Sequence, residues 1–136
     1  MSGARSRNKG AKWERDAAAL LAEVFPDAKR GIGQTRMGSD GADVEGTPYW
    51  VECKVGQRPN IYAAIEQSVA ATDGRPWLVV SRKNSTGGGV ASVDAVTMSV
   101  ESLLSLLRRV QSECPCRHCR GLTGVLPGCP CKECRS

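Results

Sequence analysis

The interval at which apolar residues recur changes repeatedly along the chain, and each change marks the border of an element. In KWERDAAALLAEVF, residues 12–25, Trp13, Ala17, Leu20, Leu21 and Val24 recur at the spacing of an amphipathic helix, with Asn8 placed to cap its start and Pro26 to close it. Glu14 falls in register with Ala18, Leu21 and Phe25, which sets an acid at the margin of the buried face. NIYAAIEQSVAAT, residues 60–72, predicts a second helix with Ile61, Ile65 and Val69 inward and Gln67 near the edge. VESLLSLLRRV, residues 100–110, predicts a third, capped by Ser99 and burying Val100, Leu103, Leu104 and Leu107, with Met98 placed to staple Leu103. Between the helices the pattern is that of strands. PWLVVSR, residues 76–82, is a short apolar run suited to a sheet centre, and VASVDAVTM, residues 90–98, follows the turn NSTGGG. ADVE, residues 42–45, and YWVECKV, residues 49–55, form a hairpin whose turn falls near Gly46–Pro48. The pattern predicts an α/β fold, a mixed central β-sheet flanked by helices, over residues 1–110.

Composition narrows the class. A chain of 136 residues holds one domain of ordinary size and not two full cores. No run approaches the roughly 18 apolar residues of a membrane span. The opening SGARSRNKGAKWERD lacks the apolar block of a secretory signal, so an intracellular, cytoplasmic protein with no membrane partner is expected.

The net charge of +5 is unevenly spread. Arg5, Arg7, Lys9 and Lys12 stand among the first 12 residues with no acid, a net of +4. From Arg108 onward six basic residues face Glu113 and Glu133, again +4, which leaves residues 13–107 at −3. Basic ends around an acidic centre suit a protein whose periphery holds phosphates and whose centre holds metal ions, although two solvated basic tails would carry the same charges.

Cysteine use divides the chain. Cys53 stands alone, while CPCRHCR (114–120) and CPCKECR (129–135) form a repeat offset by 15 residues. Cys116 with Cys119, and Cys131 with Cys134, have the spacing that places two thiolates on adjacent corners of a zinc tetrahedron, so the two halves make a closed four-sulfur structural site. The intervening GLTGVLPG is a turn. Cys114 and Cys129 would complete a two-metal cluster or are spare, and His118 reads as a surface or phosphate-facing residue rather than a ligand. Three disulfides would use the same six thiols, but a reducing compartment disfavours them. With almost no large apolar residues, residues 111–136 form a small C-terminal zinc module whose folding energy comes from the metal. Its Arg117, Arg120, Lys132 and Arg135 are further candidate phosphate contacts, unless the module instead closes a dimer interface.

The strand WVECKV poses the chemical question. Side chains alternate along it, sending Val51, Cys53 and Val55 to one face and Trp50, Glu52 and Lys54 to the other. With a four-residue connection Asp43 lies directly opposite Glu52. Facing carboxylates repel unless a divalent cation sits between them, and oxygen ligands from Asp43 and Glu52 suit magnesium or manganese. Lys54, on the same face, is placed to contact an attacking water or the charge developing on phosphorus, the parts that phosphodiester hydrolysis requires. A solvent-exposed Glu-x-Lys salt pair is the plainer reading. Asp43 across the turn, Glu14 on the preceding helix and Gln67 on the next weigh against it.

Asp43, followed by Glu52, Cys53 and Lys54, resembles the motif of the PD-(D/E)XK nuclease superfamily, whose core is that of restriction endonucleases. RNKGAKWERDAAALL, GIGQTRMGSDGADVEG and WVECKVG are most similar to the Holliday junction resolvases of archaea and their phage relatives, over about residues 5–85. The resemblance implies that Asp43 and Glu52 bind the metal, with Cys53 offering its backbone carbonyl. Lys54 would orient the water, Glu14 would reach the metal directly or through water, and Gln67 would support the site. It places Arg36 and Ser39, in the glycine-rich loop, among the DNA contacts. It also implies a homodimer that cuts a four-way DNA junction. The cysteine tail departs from the resolvase pattern. It leaves open a restriction- or repair-type endonuclease with a zinc tail that reads DNA, or a non-catalytic zinc adaptor that binds nucleic acid.

Overall fold

The computed structural model describes residues 2–31, 41–85, 87–88 and 91–113. In chain order its elements are α1 (Ser2–Ala22), β1 (Lys29–Arg30), β2 (Val44–Glu45), β3 (Trp50–Gly56), α2 (Ile61–Ala71), β4 (Trp77–Lys83), β5 (Val93–Met98) and α3 (Val100–Glu113). The chain divides into two compact units, Met1–Met98 and Ser99–Ser136. Among the described residues no helix is long and apolar enough to cross a membrane.

In the first unit five strands form one sheet in the order β1-β2-β3-β4-β5. β3 and β4 run parallel, Trp50 facing Trp77 and Lys54 facing Ser81, because α2 carries the chain back between them. The other neighbours are antiparallel, so the sheet is mixed, as the sequence pattern predicts. β1 is the one strand the pattern does not announce, since two residues are too few to display a period.

The core lies between α1 and the sheet face that bears Val51 and Val80, where Trp13, Ala17, Ala18, Val44 and Leu78 join them. Trp13 anchors it: the side chain is 2 % exposed, its indole N–H donates to the Val80 carbonyl at 3.1 Å, and the Arg82 guanidinium lies 4.2 Å from its ring centroid. α2 covers the opposite face through small residues. Ala64 and Ser68 are buried there, and the Ser68 hydroxyl donates to the Ala64 carbonyl at 2.8 Å. The expected inward residues Ile61 and Ile65 are half-buried and Val69 is exposed. The buried stripe on α2 is narrower than its apolar spacing suggests, and only short side chains occupy it.

Two further expectations fail on α1. The helix begins at Ser2, so Asn8 lies inside it rather than capping it, and Leu20 and Val24 are exposed.

The hairpin is closed by four residues, 46–49, between β2 and β3. Gly46 adopts φ +82°, and a Cβ there would sit 2.0 Å from the Asp27 carbonyl oxygen, so the turn requires glycine.

In the second unit α3 is capped as expected, the Ser99 Oγ accepting from the Ser102 N–H at 3.1 Å. Val100, Leu103, Leu104 and Leu107 are exposed rather than buried. Helical periodicity identifies the apolar face but not what covers it.

Candidate active site

Backbone pairing positions Asp43. The Gly31 N–H donates to the Asp43 carbonyl and the Asp43 N–H to the Val51 carbonyl, each at 2.8 Å, so the residue is held on both sides. Gly31 permits this approach, because a Cβ on it would meet the Ala42 carbonyl oxygen at 2.2 Å. Val44 faces Val51, and the Asp43 N–H bonds to the same Val51 carbonyl, which leaves Asp43 near enough to Glu52 for the two charges to interact.

The Asp43 side chain is 4 % exposed, and its Oδ2 accepts from the Cys53 N–H at 2.7 Å. Burial pushes its carboxyl up to about 7, and the negative charge of Glu52 adds to the effect. The Cys53 N–H pulls the other way, while the more distant Glu14 again raises it. A carboxyl in this position is one for which a nearby positive charge would be strongly favourable.

Alternation along β3 places Glu52 and Lys54 on the α2 side of the sheet. The Lys54 ammonium lies 2.9 Å from Glu52 Oε1 and 2.8 Å from Gln67 Oε1, so the lysine is fixed between a strand and a helix. Gln67 therefore reaches the site by holding Lys54. Glu14 of α1, whose charge also acts on Asp43, accepts a hydrogen bond from Arg30 Nε, and both residues are half-buried. Arg30 is a site residue that sequence reasoning misses. Its only signal is a basic pair just before a glycine-rich stretch.

The Cys53 side chain packs against the core cluster. Burial, followed by the neighbouring Asp43, pushes its thiol well above the usual range, so it is protonated and unsuited to nucleophilic attack. The group it presents to Asp43 is the backbone N–H.

Four of the expected site residues, Asp43, Glu52, Lys54 and Gln67, are thus linked by hydrogen bonds or mutual electrostatic influence, and Glu14 adds its field from α1. Among the described residues no three His, Cys, Asp or Glu side chains converge closely enough to enclose a metal ion as they stand. Glu14 is engaged by Arg30 and Glu52 by Lys54. The donor set is nonetheless of the right kind for a hard divalent cation: carboxylate oxygens, one of them buried and raised by a second. A cation held by Asp43 and Glu52 would replace the ammonium as the partner of Glu52.

No family model, curated protein or solved structure matches the chain. What the site can do is read from its own chemistry.

Of the expected phosphate contacts, Arg5, Arg7 and Lys9 are exposed on α1. Lys12 is paired with Asp16 at 2.8 Å, and this hydrogen bond lowers the aspartate below its ordinary range. Arg36, Ser39, the tail cysteines Cys114, Cys116, Cys119, Cys129, Cys131 and Cys134, and Arg117, Arg120, Lys132 and Arg135 lie outside the described residues.

Proposed function

We propose that the chain is a divalent-cation-dependent endonuclease that hydrolyses phosphodiester bonds in DNA, with four-way junctions as its first candidate substrate and a homodimer as its working form. The observation that carries this reading is the buried Asp43, raised to about 7 beside Glu52, within a cluster whose cation, Lys54, is held in place by Gln67. A structural salt pair needs neither a buried, like-charged neighbour nor a second anchor for the lysine.

Asp43 and Glu52 would hold magnesium or manganese, with the Cys53 carbonyl as a further oxygen donor. A cation bound there supplies Lewis acidity, lowering the pKa of a coordinated water and neutralising charge on the phosphate. The chain's own contribution is to hold the acids in a site sheltered from water and to keep an ammonium at hand. Lys54 is fixed by Gln67 and would remain there when Glu52 turned to a cation, free to contact the attacking water or the developing phosphorane charge. Arg30 fixes the Glu14 carboxylate, whose charge also acts on Asp43. The cysteine tail is assigned a structural zinc on its spacing alone.

A labelled four-way junction, a duplex and a single strand, incubated with and without Mg²⁺ beside Asp43→Asn and Lys54→Ala, test the proposal. Cleavage of the junction that requires Mg²⁺ and falls at least a hundredfold in either variant is expected, from the loss of one electrostatic stabiliser. Equal cutting of plain duplex would favour a restriction- or repair-type enzyme. The satisfied ion pairs Glu14–Arg30 and Glu52–Lys54 favour a second reading, a non-catalytic nucleic-acid adaptor. Intact substrates in Mg²⁺ and Mn²⁺, with binding preserved, would establish that reading instead.

A further inference from the structure

Two adjoining hollows, of about 380 and 610 Å³, lie beyond the carboxyl ends of the parallel strands β3 and β4, where the first half of α1 passes over them. The crevice outside the carboxyl ends of neighbouring parallel strands is the usual ligand position in open α/β sheets. The hollows share Lys9, Val55, Gln57 and Asn84, and the larger adds Arg5, Ser6 and Gly56. The strand ends are tied together by the Asn84 N–H, which donates to the Gly56 carbonyl at 2.8 Å, so the floor is a fixed one.

Charge is distributed unequally between the hollows. In the smaller one Lys12 is paired with Asp16, and Arg82 with Asp16 and Asp94, so those cations are already partnered. In the larger one Arg5 and Lys9 have no acid on the lining and no ion pair among the described residues. They stand four residues apart on one face of α1, about 6 Å along its axis, and two like charges at that spacing disfavour the helix unless an anion lies between them. Around them are the neutral hydrogen-bonding groups of Ser6, Gln57 and Asn84, with Val55 the one apolar side chain of the lining. Unpaired cations interleaved with hydroxyl and amide groups, and no aromatic ring to stack a base, suit a phosphate chain rather than a base or an apolar ligand.

We propose that this groove seats consecutive phosphates of one DNA strand, with Arg5 and Lys9 supplying the charge and Ser6, Gln57 and Asn84 the hydrogen bonds. The proposal rests on the nucleic-acid part of the function above, not on catalysis. It also separates Arg5 and Lys9, which bind phosphate, from Lys12, whose ammonium is already paired with Asp16 one turn along the same helix.

Binding is measured by fluorescence anisotropy of labelled duplex and junction DNA in buffer without Mg²⁺, across a salt series. The full chain is compared with Arg5→Ala/Lys9→Ala, with Gln57→Ala/Asn84→Ala, and with Arg15→Ala/Lys29→Ala, which removes the same charge elsewhere. The first pair is expected to lower the slope of log affinity against log salt by about 1.8, since each phosphate left without its cation removes about 0.9. The second is expected to weaken binding with the slope unchanged, and the third to leave both as they were. An unchanged slope in the first variant, or an equal fall in the third, overturns the groove. Displacement of DNA by an equimolar mononucleotide would also overturn it, in favour of a small-molecule site. Groove-dependent binding without cleavage in Mg²⁺ removes the nuclease reading and leaves the groove standing; cleavage with an unchanged slope does the reverse.

Discussion

Asp43 makes the stability of the metal-free protein depend on pH in an unusual direction. Its carboxyl rises from 3.8 to about 7 in the fold, mainly through burial and then through Glu52. The native state therefore binds a proton more tightly than the unfolded chain, and this contribution to stability is fully present below the unfolded value and lost as pH rises through about 7. The shift of roughly three units, at 1.36 kcal/mol each, sets an upper bound of about 4 kcal/mol. Within the accessible window, from about pH 5.5 to 8.5, about 2 kcal/mol of that should disappear. Asn at position 43 cannot ionise and can still accept from the Cys53 N–H, so the variant isolates the titration. Urea denaturation of parent and Asp43→Asn, in zinc-replete buffer without Mg²⁺, is expected to show the parent losing stability toward the alkaline end relative to the variant. Adding Mg²⁺ should restore the parent more at the alkaline end than at the acid end, because cation and proton compete for one carboxylate. If parent and variant follow parallel curves, or if Mg²⁺ stabilises both equally, the account of Asp43 is wrong.

Three shorter predictions concern the frame around the site. Trp13→Ala should cost about 3–5 kcal/mol in chemical denaturation, since it empties the largest buried side chain under α1 and leaves the Val80 carbonyl without its donor; a loss under about 1 kcal/mol would mean the core lies elsewhere. Gly31→Ala must displace the backbone at Ala42, 2.2 Å from the added carbon, so cleavage should fall more steeply than stability; an unimpaired variant would show that the Asp43 position is not critical. Metal analysis of reduced, freshly purified protein should find at least one zinc per chain, and chelation should unfold the tail while sparing the sheet, as seen by limited proteolysis; protein that contains no zinc refutes the cysteine spacing argument.

The parts of the molecule legible in the sequence are those that repeat a period or fix a turn. β3 is readable because Val51, Cys53 and Val55 alternate with Trp50, Glu52 and Lys54, and the four-residue hairpin follows from a glycine-containing turn between two short runs. From those two facts the meeting of Asp43 with Glu52 can be derived without a structure. What is not legible depends on close approach. The buried stripe of α2 consists of Ala64 and Ser68 rather than Ile65 and Val69, because packing on the sheet selects for small size as well as apolarity. Arg30 escapes notice because a two-residue strand has no period, yet pairing across β2 is what brings it to Glu14. The stripe of α3 is apolar in sequence and exposed in the fold, which periodicity alone does not foretell.

Strand β3 divides stability from chemistry between its two faces. Val51 is fully buried against Trp13 and Ala17, while on the reverse face Glu52 and Lys54 are partly accessible, bonded to each other and, through the lysine, to Gln67. Asp43 stands at the seam, held by backbone bonds from the Gly31 N–H and to the Val51 carbonyl yet carrying a carboxyl that its burial penalises. That penalty is sustained by the apolar side, which loses nothing when Glu52 or Lys54 changes partner. Glu52 and Lys54 can change partners by side-chain rotation without disturbing that packing, because neither belongs to the core cluster that keeps Asp43 in place. The strain at Asp43 is thus confined to the place where an incoming positive charge would relieve it.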